Sequence, residues 1–271
     1  MKLAISNIAW PTETEADIAA VMQALQIPGV EIAPTKIWPH PLQATAAEVT
    51  AYRQFWQRYN IQIVALQALL YGRADLTIFA GVEKRRETLD YLRGIMELGA
   101  RLGARILVFG SPKNRLVGTL PLTTAEEIAL SFFYNVGEMA AAHGVIFCLE
   151  PNPKSYGCDF INTAAEGLAL VQRVHSRGFS LHLDAGAMTM NQEPIAETLR
   201  QSRPHLSHFH ASEPGLAPLG TGGTDHATLA AALRKIAYHR WVSVEMRPNS
   251  ATDAVTEMQR VGTFLREVYG T

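Results

Sequence analysis

Four side chains of metal-ligating type fall at or near the ends of four apolar runs. Glu150 closes Val145-Ile146-Phe147-Cys148-Leu149, Asp184 closes Phe179-Ser180-Leu181-His182-Leu183, and His210 closes His205-Leu206-Ser207-His208-Phe209. Glu245 sits near the end of Trp241-Val242-Ser243-Val244-Glu245-Met246. Three carboxylates and one imidazole form the donor set of one hard or borderline divalent cation. Oxygen-rich ligation puts Mn²⁺ first, with Mg²⁺, Co²⁺ or Zn²⁺ as substitutes. One carboxylate at a strand end is as readily a solvated terminus or half of a buried ion pair. Four ligand-type residues at four successive strand ends are harder to explain that way, because unpaired buried charge is rare.

Convergence of these residues requires a particular scaffold. Eight strand-like runs can be read: Leu3–Asn7, Val30–Ala33, Ile61–Gln67, Arg105–Gly110, Val145–Glu150, Phe179–Asp184, Leu206–His210 and Trp241–Met246. Segments of helical periodicity separate them, such as Thr45–Tyr59 and Val82–Leu102. Thr45 with Glu48, Thr124 with Glu127 and Thr163 with Glu166 have capping-box spacing. Gly29, Asn60, Gly103, Gly144 and Gly178 stand where helices should stop before the next strand. Repeated β–α alternation over 271 residues predicts an α/β protein, a single (β/α)8 barrel spanning residues 1–271. An open doubly wound sheet is the alternative, but no GxGxxG or GxxxxGK[ST] phosphate turn is present.

Parallel barrels place their chemistry at the carboxyl ends of the strands. Residues two apart share a strand face, so His182 follows Asp184 inward and His208 follows His210. Those two histidines read equally as partners of ligands or as satisfied core residues. Asn7 and Glu31 close the first two runs, facing the pocket or making structural hydrogen bonds. His226, after Asp225 in a glycine-rich loop, is expected to cap the next helix. Trp10, Trp38, Tyr71 and Lys113 lie in loops on the same rim, and Asn152 and Arg247 closely follow two of the ligand candidates. Lys113 and Arg115 could hold an anionic group, or be ordinary surface charges.

At these residues the chain resembles the xylose isomerase-like TIM-barrel superfamily, in its sugar phosphate isomerase/epimerase branch. The stretches that carry the resemblance are Val30-Glu31-Ile32-Ala33-Pro34, Leu149-Glu150-Pro151-Asn152, Leu183-Asp184-Ala185-Gly186, His208-Phe209-His210 and Val242-Ser243-Val244-Glu245-Met246-Arg247-Pro248. The resemblance implies that Glu150, Asp184, His210 and Glu245 bind one divalent metal, and that Glu150 and Glu245 also serve as acid and base. By their position around the same pocket, Lys113, Asn152, His182, His208, Arg247, Trp10 and Trp38 are the candidate substrate contacts. Two departures bear on the sugar contacts of ketose 3-epimerases: Ala187 stands where many relatives carry histidine, and Leu216 where those epimerases carry arginine. Ala187 also leaves the three-zinc cluster of the endonuclease relatives incomplete.

The expected activity is metal-dependent isomerisation or epimerisation of a sugar, sugar phosphate or keto-polyol by proton transfer beside a carbonyl. A keto-polyol dehydratase, or a non-catalytic sugar sensor on the same fold, is the alternative. A formal net charge of −1 argues against a nucleic-acid partner. No apolar run approaches the roughly 20 residues of a membrane span. The start, Met1-Lys2-Leu3-Ala4-Ile5-Ser6-Asn7, reads as a first strand, and the expected location is cytoplasmic. The resemblance implies a small carbohydrate as partner, and a homo-oligomer is left open. Cys148 and Cys158 have no CxxC spacing and suggest neither a disulfide framework nor a thiolate site.

Overall fold

The computed structural model describes residues 1–270; Thr271, the last residue of the expected unit, lies outside them. The strands are β1 (Lys2–Ser6), β2 (Gly29–Ile32), β3 (Gln62–Leu66), β4 (Ile106–Phe109), β5 (Ile146–Leu149), β6 (Phe179–Asp184), β7 (Leu206–Ser212) and β8 (Trp241–Glu245). They pair in chain order, all parallel, and β8 returns to β1 to close the barrel. The helices are α1 (Glu15–Ala24), α2 (Pro34–Ile37), α3 (Ala46–Arg58), α4 (Val82–Leu102), α5 (Leu122–Ala142), α6 (Ala164–Val174), α7 (Ala185–Met190), α8 (Ile195–Ser202), α9 (His226–Lys235) and α10 (Ala254–Tyr269). Among the described residues, no helix is long and apolar enough to cross a membrane.

Strands buried on both faces explain the near-continuous apolar runs. Alternate residues split between two cores. Ala4, Val64, Ile106, Val108 and Cys148 fill the lower barrel axis. Leu107, Phe109, Phe147 and Leu149 point outward and join the larger core beneath the helices. Above the apolar plug the inward positions turn polar: Glu31, His182, His208, His210 and Ser243 are all 0 % exposed. The pairing register sets His182 beside His208, and Asp184 beside His210. It shifts between Val30 and Glu31 and between Leu181 and His182. These irregularities lie at two of the polar inward residues, where a bulge re-aims a side chain.

Local sequence signals have mixed outcomes. Thr45–Glu48 and Thr163–Glu166 form full capping boxes. Thr124–Glu127 does not, because α5 begins two residues earlier behind Pro121 and Thr124 is already helical. Asn60, Gly103 and Gly144 adopt the left-handed turn expected of them. Gly29 and Gly178 are needed for closeness instead: a β-carbon on Gly29 would strike the Trp241 ring, and one on Gly178 the backbone of Gly137. Asp225, not His226, caps α9, while His226 is buried between Tyr269 and Glu213.

Gly186, one residue into α7, ties the segment after β6 to the segment after β7. A β-carbon there would lie 2.7 Å from the Glu213 carbonyl carbon and 3.0 Å from the Pro214 nitrogen, neither of which can yield as a side chain can. Gly186→Ala should therefore destabilise the fold by about 1–3 kcal/mol. Thermal unfolding should show the midpoint falling by several degrees; an unchanged midpoint would mean that the two segments are not held together here.

Candidate active site

The four residues singled out from the sequence meet at the carboxyl end of the barrel. Glu150, Asp184, His210 and Glu245 each offer a ligand atom, and these atoms all lie within 4.8 Å of one another. Three come from strand ends: Glu150 directly follows β5, Asp184 closes β6 and Glu245 closes β8; His210, expected to close its strand, lies two residues short of the end because β7 runs on to Ser212. Among the described residues, no lysine or arginine forms an ion pair with any of the three carboxylates. Burial, then the negative charge of Glu245, holds Glu150 well above the usual carboxylate range. The same causes, in the same order, push Asp184 up to about 6. Carboxylates crowded together away from water and lacking a protein cation fit a divalent metal ion, and the oxygen and imidazole donors are those such an ion takes.

Each carboxylate is held differently. Asp184 Oδ1 accepts from the Ala187 backbone N–H at 2.7 Å, so the residue also caps α7, and Oδ2 accepts from the Ser212 hydroxyl. Because the backbone of residue 187 makes the contact, alanine there leaves Asp184 fixed. Glu245 Oε1 accepts from the Gln67 amide at 2.9 Å, and its Oε2 lies 3.2 Å from His210 Nδ1. The Glu150 carboxylate has no close hydrogen-bond partner among the described residues; the nearest ring nitrogen is His182 Nε2, 3.9 Å away. Its backbone carbonyl accepts from Arg115 Nη2 at 2.7 Å and from Asn152 Nδ2 at 3.1 Å. Gly110 lies so near that a β-carbon would strike the Glu150 carboxylate.

A second polar layer underlies the first. Glu31 Oε2 lies 3.0 Å from His210 Nε2 and 3.2 Å from His208 Nε2. Burial alone would raise Glu31, but the two imidazoles outweigh it and hold the carboxyl well below its usual range. Burial alone would lower His210; Glu31 on one ring nitrogen and Glu245 on the other outweigh it and hold the imidazole well above its usual range. His182 is held well below, first by burial and then by the neighbouring imidazoles. Its ring stands 4.1 Å from that of His210, and neither of its nitrogens has a hydrogen-bond partner among the described residues.

A cleft of about 400 Å³ opens above the carboxylates, with Gln67, Asn152, Tyr156 and Arg247 among its walls. Of the loop residues flagged from the sequence, Asn152 and Arg247 line this cleft, and Trp10 lines an adjoining one. Trp38 instead packs its ring against Tyr52, at 5.5 Å between centroids, and Lys113 is exposed; neither lines a cleft wall. His182 and His208 form the floor beneath the ligand atoms. Arg115, read as a possible surface charge, is wholly buried under Glu150. Asn7 makes a structural bond, its Oδ1 accepting from Ala33 N at 2.8 Å. Gln67, Ser212 and Tyr156 escaped sequence reasoning: an amide, a small hydroxyl and a phenol carry no distinctive spacing.

Known proteins are similar to this chain in sequence and in fold. An L-ribulose 3-epimerase of Mesorhizobium japonicum is 30 % identical over 181 residues, which is 66 % of this chain but only 59 % of that protein, less than two thirds of its length. An L-ribulose 3-epimerase of Methylomonas sp. is 30 % identical over 214 residues, covering 76 % of this chain and 71 % of that one. Among solved structures, a D-psicose 3-epimerase from Clostridium cellulolyticum H10, determined with D-tagatose, superposes with a TM-score of 0.84 over 99 % of each chain at 18 % identity. The family model described as xylose isomerase-like TIM barrel matches residues 19–267, a span that includes all four residues of the carboxylate–imidazole cluster. With that match over most of its length, the chain belongs to the xylose isomerase-like TIM barrel family.

Proposed function

We propose that the protein is a divalent-metal-dependent carbohydrate epimerase or isomerase that moves a proton on a carbon next to a carbonyl. The observation that carries this reading is the pair of glutamates within the four-residue cluster. Glu150 and Glu245 stand at the ends of β5 and β8, on different sides of one cleft, with Asp184 and His210 between them in the barrel order. Relatives named as ketose 3-epimerases support the same class of reaction.

Glu150, Asp184, His210 and Glu245 would hold the ion, with Mn²⁺ expected first on the oxygen-rich donor set. When bound, such an ion supplies Lewis acidity toward the oxygens of an α-hydroxyketone. The remaining work belongs to the side chains. Glu150, whose carboxylate is free of close hydrogen bonds, takes or returns the proton from one face of the carbon. Glu245 acts from the other face, its carboxylate oriented by Gln67 and His210. Opposed carboxylates permit removal on one face and return on the other, which inverts the centre. Asn152 and Arg247 supply walls that position the sugar, with Trp10 in the adjoining cleft, while His182 and His208 support the floor.

Two measurements follow. His210→Ala removes the one imidazole donor, so calorimetry should show Mn²⁺ affinity falling by more than the roughly 10–100-fold typical of losing an outer partner. Affinity like that of the unaltered protein would remove His210 from the ligand set. Glu150→Gln and Glu245→Gln keep side-chain size but remove the base. With metal occupancy checked and Mn²⁺ saturating, deuterium entry from solvent into the α-carbon of a ketose should slow by about 10²–10⁴ in each. Exchange at the unaltered rate in both metal-loaded variants would show that neither glutamate is the base.

A further inference from the structure

The cleft does not end at the carboxylates. Beyond Glu245 a second chamber of about 680 Å³ opens toward the loops after β1 and β2, walled by Trp10, Pro11, Tyr71 and Pro248. Gln67, Ala68, Leu216, Glu245 and Arg247 line both chambers, so a ligand seated over the carboxylates can extend into the second without leaving the protein. Each chamber alone falls in the roughly 300–1,000 Å³ range that holds a whole small ligand.

The junction is built with unusual backbone. Ala68 has φ 52° and Leu216 φ 57°, both in the left-handed region that a residue bearing a β-carbon seldom adopts. Such conformations persist only where neighbours enforce them, and they gather at ligand sites. Here the Leu216 carbonyl accepts from the Arg247 N–H at 2.9 Å, and the Leu216 N–H donates to the Glu213 carbonyl at 2.9 Å. The result is an apolar side chain at the partition, with the exposed Arg247 beside it. The Arg247 guanidinium makes no hydrogen bond or ion pair among the described residues, so its donors are free for oxygens of a ligand.

The second chamber also presents one exposed ring without an aromatic partner. Tyr71 is 73 % exposed and stacks on no other aromatic ring among the described residues. Trp10 is fully buried and its ring packs on Trp56 at 6.3 Å between centroids, yet its indole N–H has no acceptor among the described residues. The prolines add flat apolar faces. Lys36, the other cation there, is tied to the carbonyls of Asn7 and Trp10, so the chamber offers no second free charge for an anionic group. Flat apolar faces with a few donors at the edge suit a ring that has an apolar face and polar rim.

We propose that the second chamber binds a further ring, joined to the reacting sugar through a glycosidic oxygen. The substrate class is then a two-ring α-hydroxyketone carbohydrate, not a free monosaccharide ketose. This assignment rests on the reading of the carboxylate cluster as an epimerase or isomerase site. The reacting unit sits over Glu150 and Glu245, the linking oxygen passes Leu216 within reach of Arg247, and the second ring lies against Tyr71 and the prolines.

The test compares three substrates on the Mn²⁺-loaded protein by initial rates of solvent-deuterium incorporation: D-psicose, a disaccharide whose reducing unit is a ketose, and an aryl glycoside carrying a ring ketone. At least one two-ring substrate should exceed D-psicose in kcat/KM by about tenfold or more. Tyr71→Ala, at an exposed position where the fold is not at stake, should lower that preference about tenfold, as should Leu216→Arg at the partition. Equal kcat/KM for all three substrates, or a preference that neither variant moves, overturns the proposal. Calorimetry with the same two-ring ligands keeps the two readings apart. Binding that weakens in Tyr71→Ala without any exchange sinks the epimerase reading and retains the chamber. Absence of binding, or binding indifferent to both variants, removes the chamber as well.

Discussion

The imidazole of His210 lies between two layers of negative charge, and the upper half of the barrel is arranged around that fact. Below it Glu31 has no exposure to water; above it Glu245 and Asp184 crowd the cleft. A buried carboxylate stays ionised only if something nearby compensates it. Glu31 finds that compensation in two histidines and becomes a fixed negative charge beneath the ligand atoms. Its position orients the His210 ring, leaving Nδ1 toward the other carboxylates. The register irregularities at Glu31 and His182 fall in this layer, which makes the backbone there part of the same arrangement.

Much of this was legible in the sequence because barrel strands impose strong constraints. A strand buried on both faces must be apolar, so a carboxylate or histidine at its end stands out, and Glu150, Asp184, His210 and Glu245 did. Period-two alternation likewise placed His182 and His208 one layer down. The pairing of Glu31 with His208 and His210 was not legible, because it joins strands separated by most of the chain. Arg115 read as a loop charge, since nothing local distinguishes a loop that folds under β5 from one that faces water. Lys113, two residues earlier, took the outer course. Trp38 misled for a related reason: an aromatic residue in a rim loop can pack sideways on a helix as easily as inward on a cleft.

The departures at positions 187 and 216 have different physical weights. At 187 the backbone N–H makes the contact that fixes Asp184, so the identity of the side chain is immaterial to that carboxylate. At 216 the side chain stands on a left-handed residue that lines both clefts, so its length and polarity bear on the space there. One substitution leaves the charge arrangement as it is; the other alters the shape of the space above it.

The floor of His182, His208, Glu31 and Ser243 bears on how far this chain could be hardened against heat. It contains unsatisfied buried atoms on all four residues, the type of site where apolar replacements of similar volume often raise stability. Selection for thermal endurance alone would be drawn there, toward leucine or methionine along the axis. The barrel would close more firmly around such a filling, yet His210 would lose the anion that orients it. Endurance and ion retention therefore pull in opposite directions at these few positions, and a hardened descendant would have to draw its gains from the outer helices and loops.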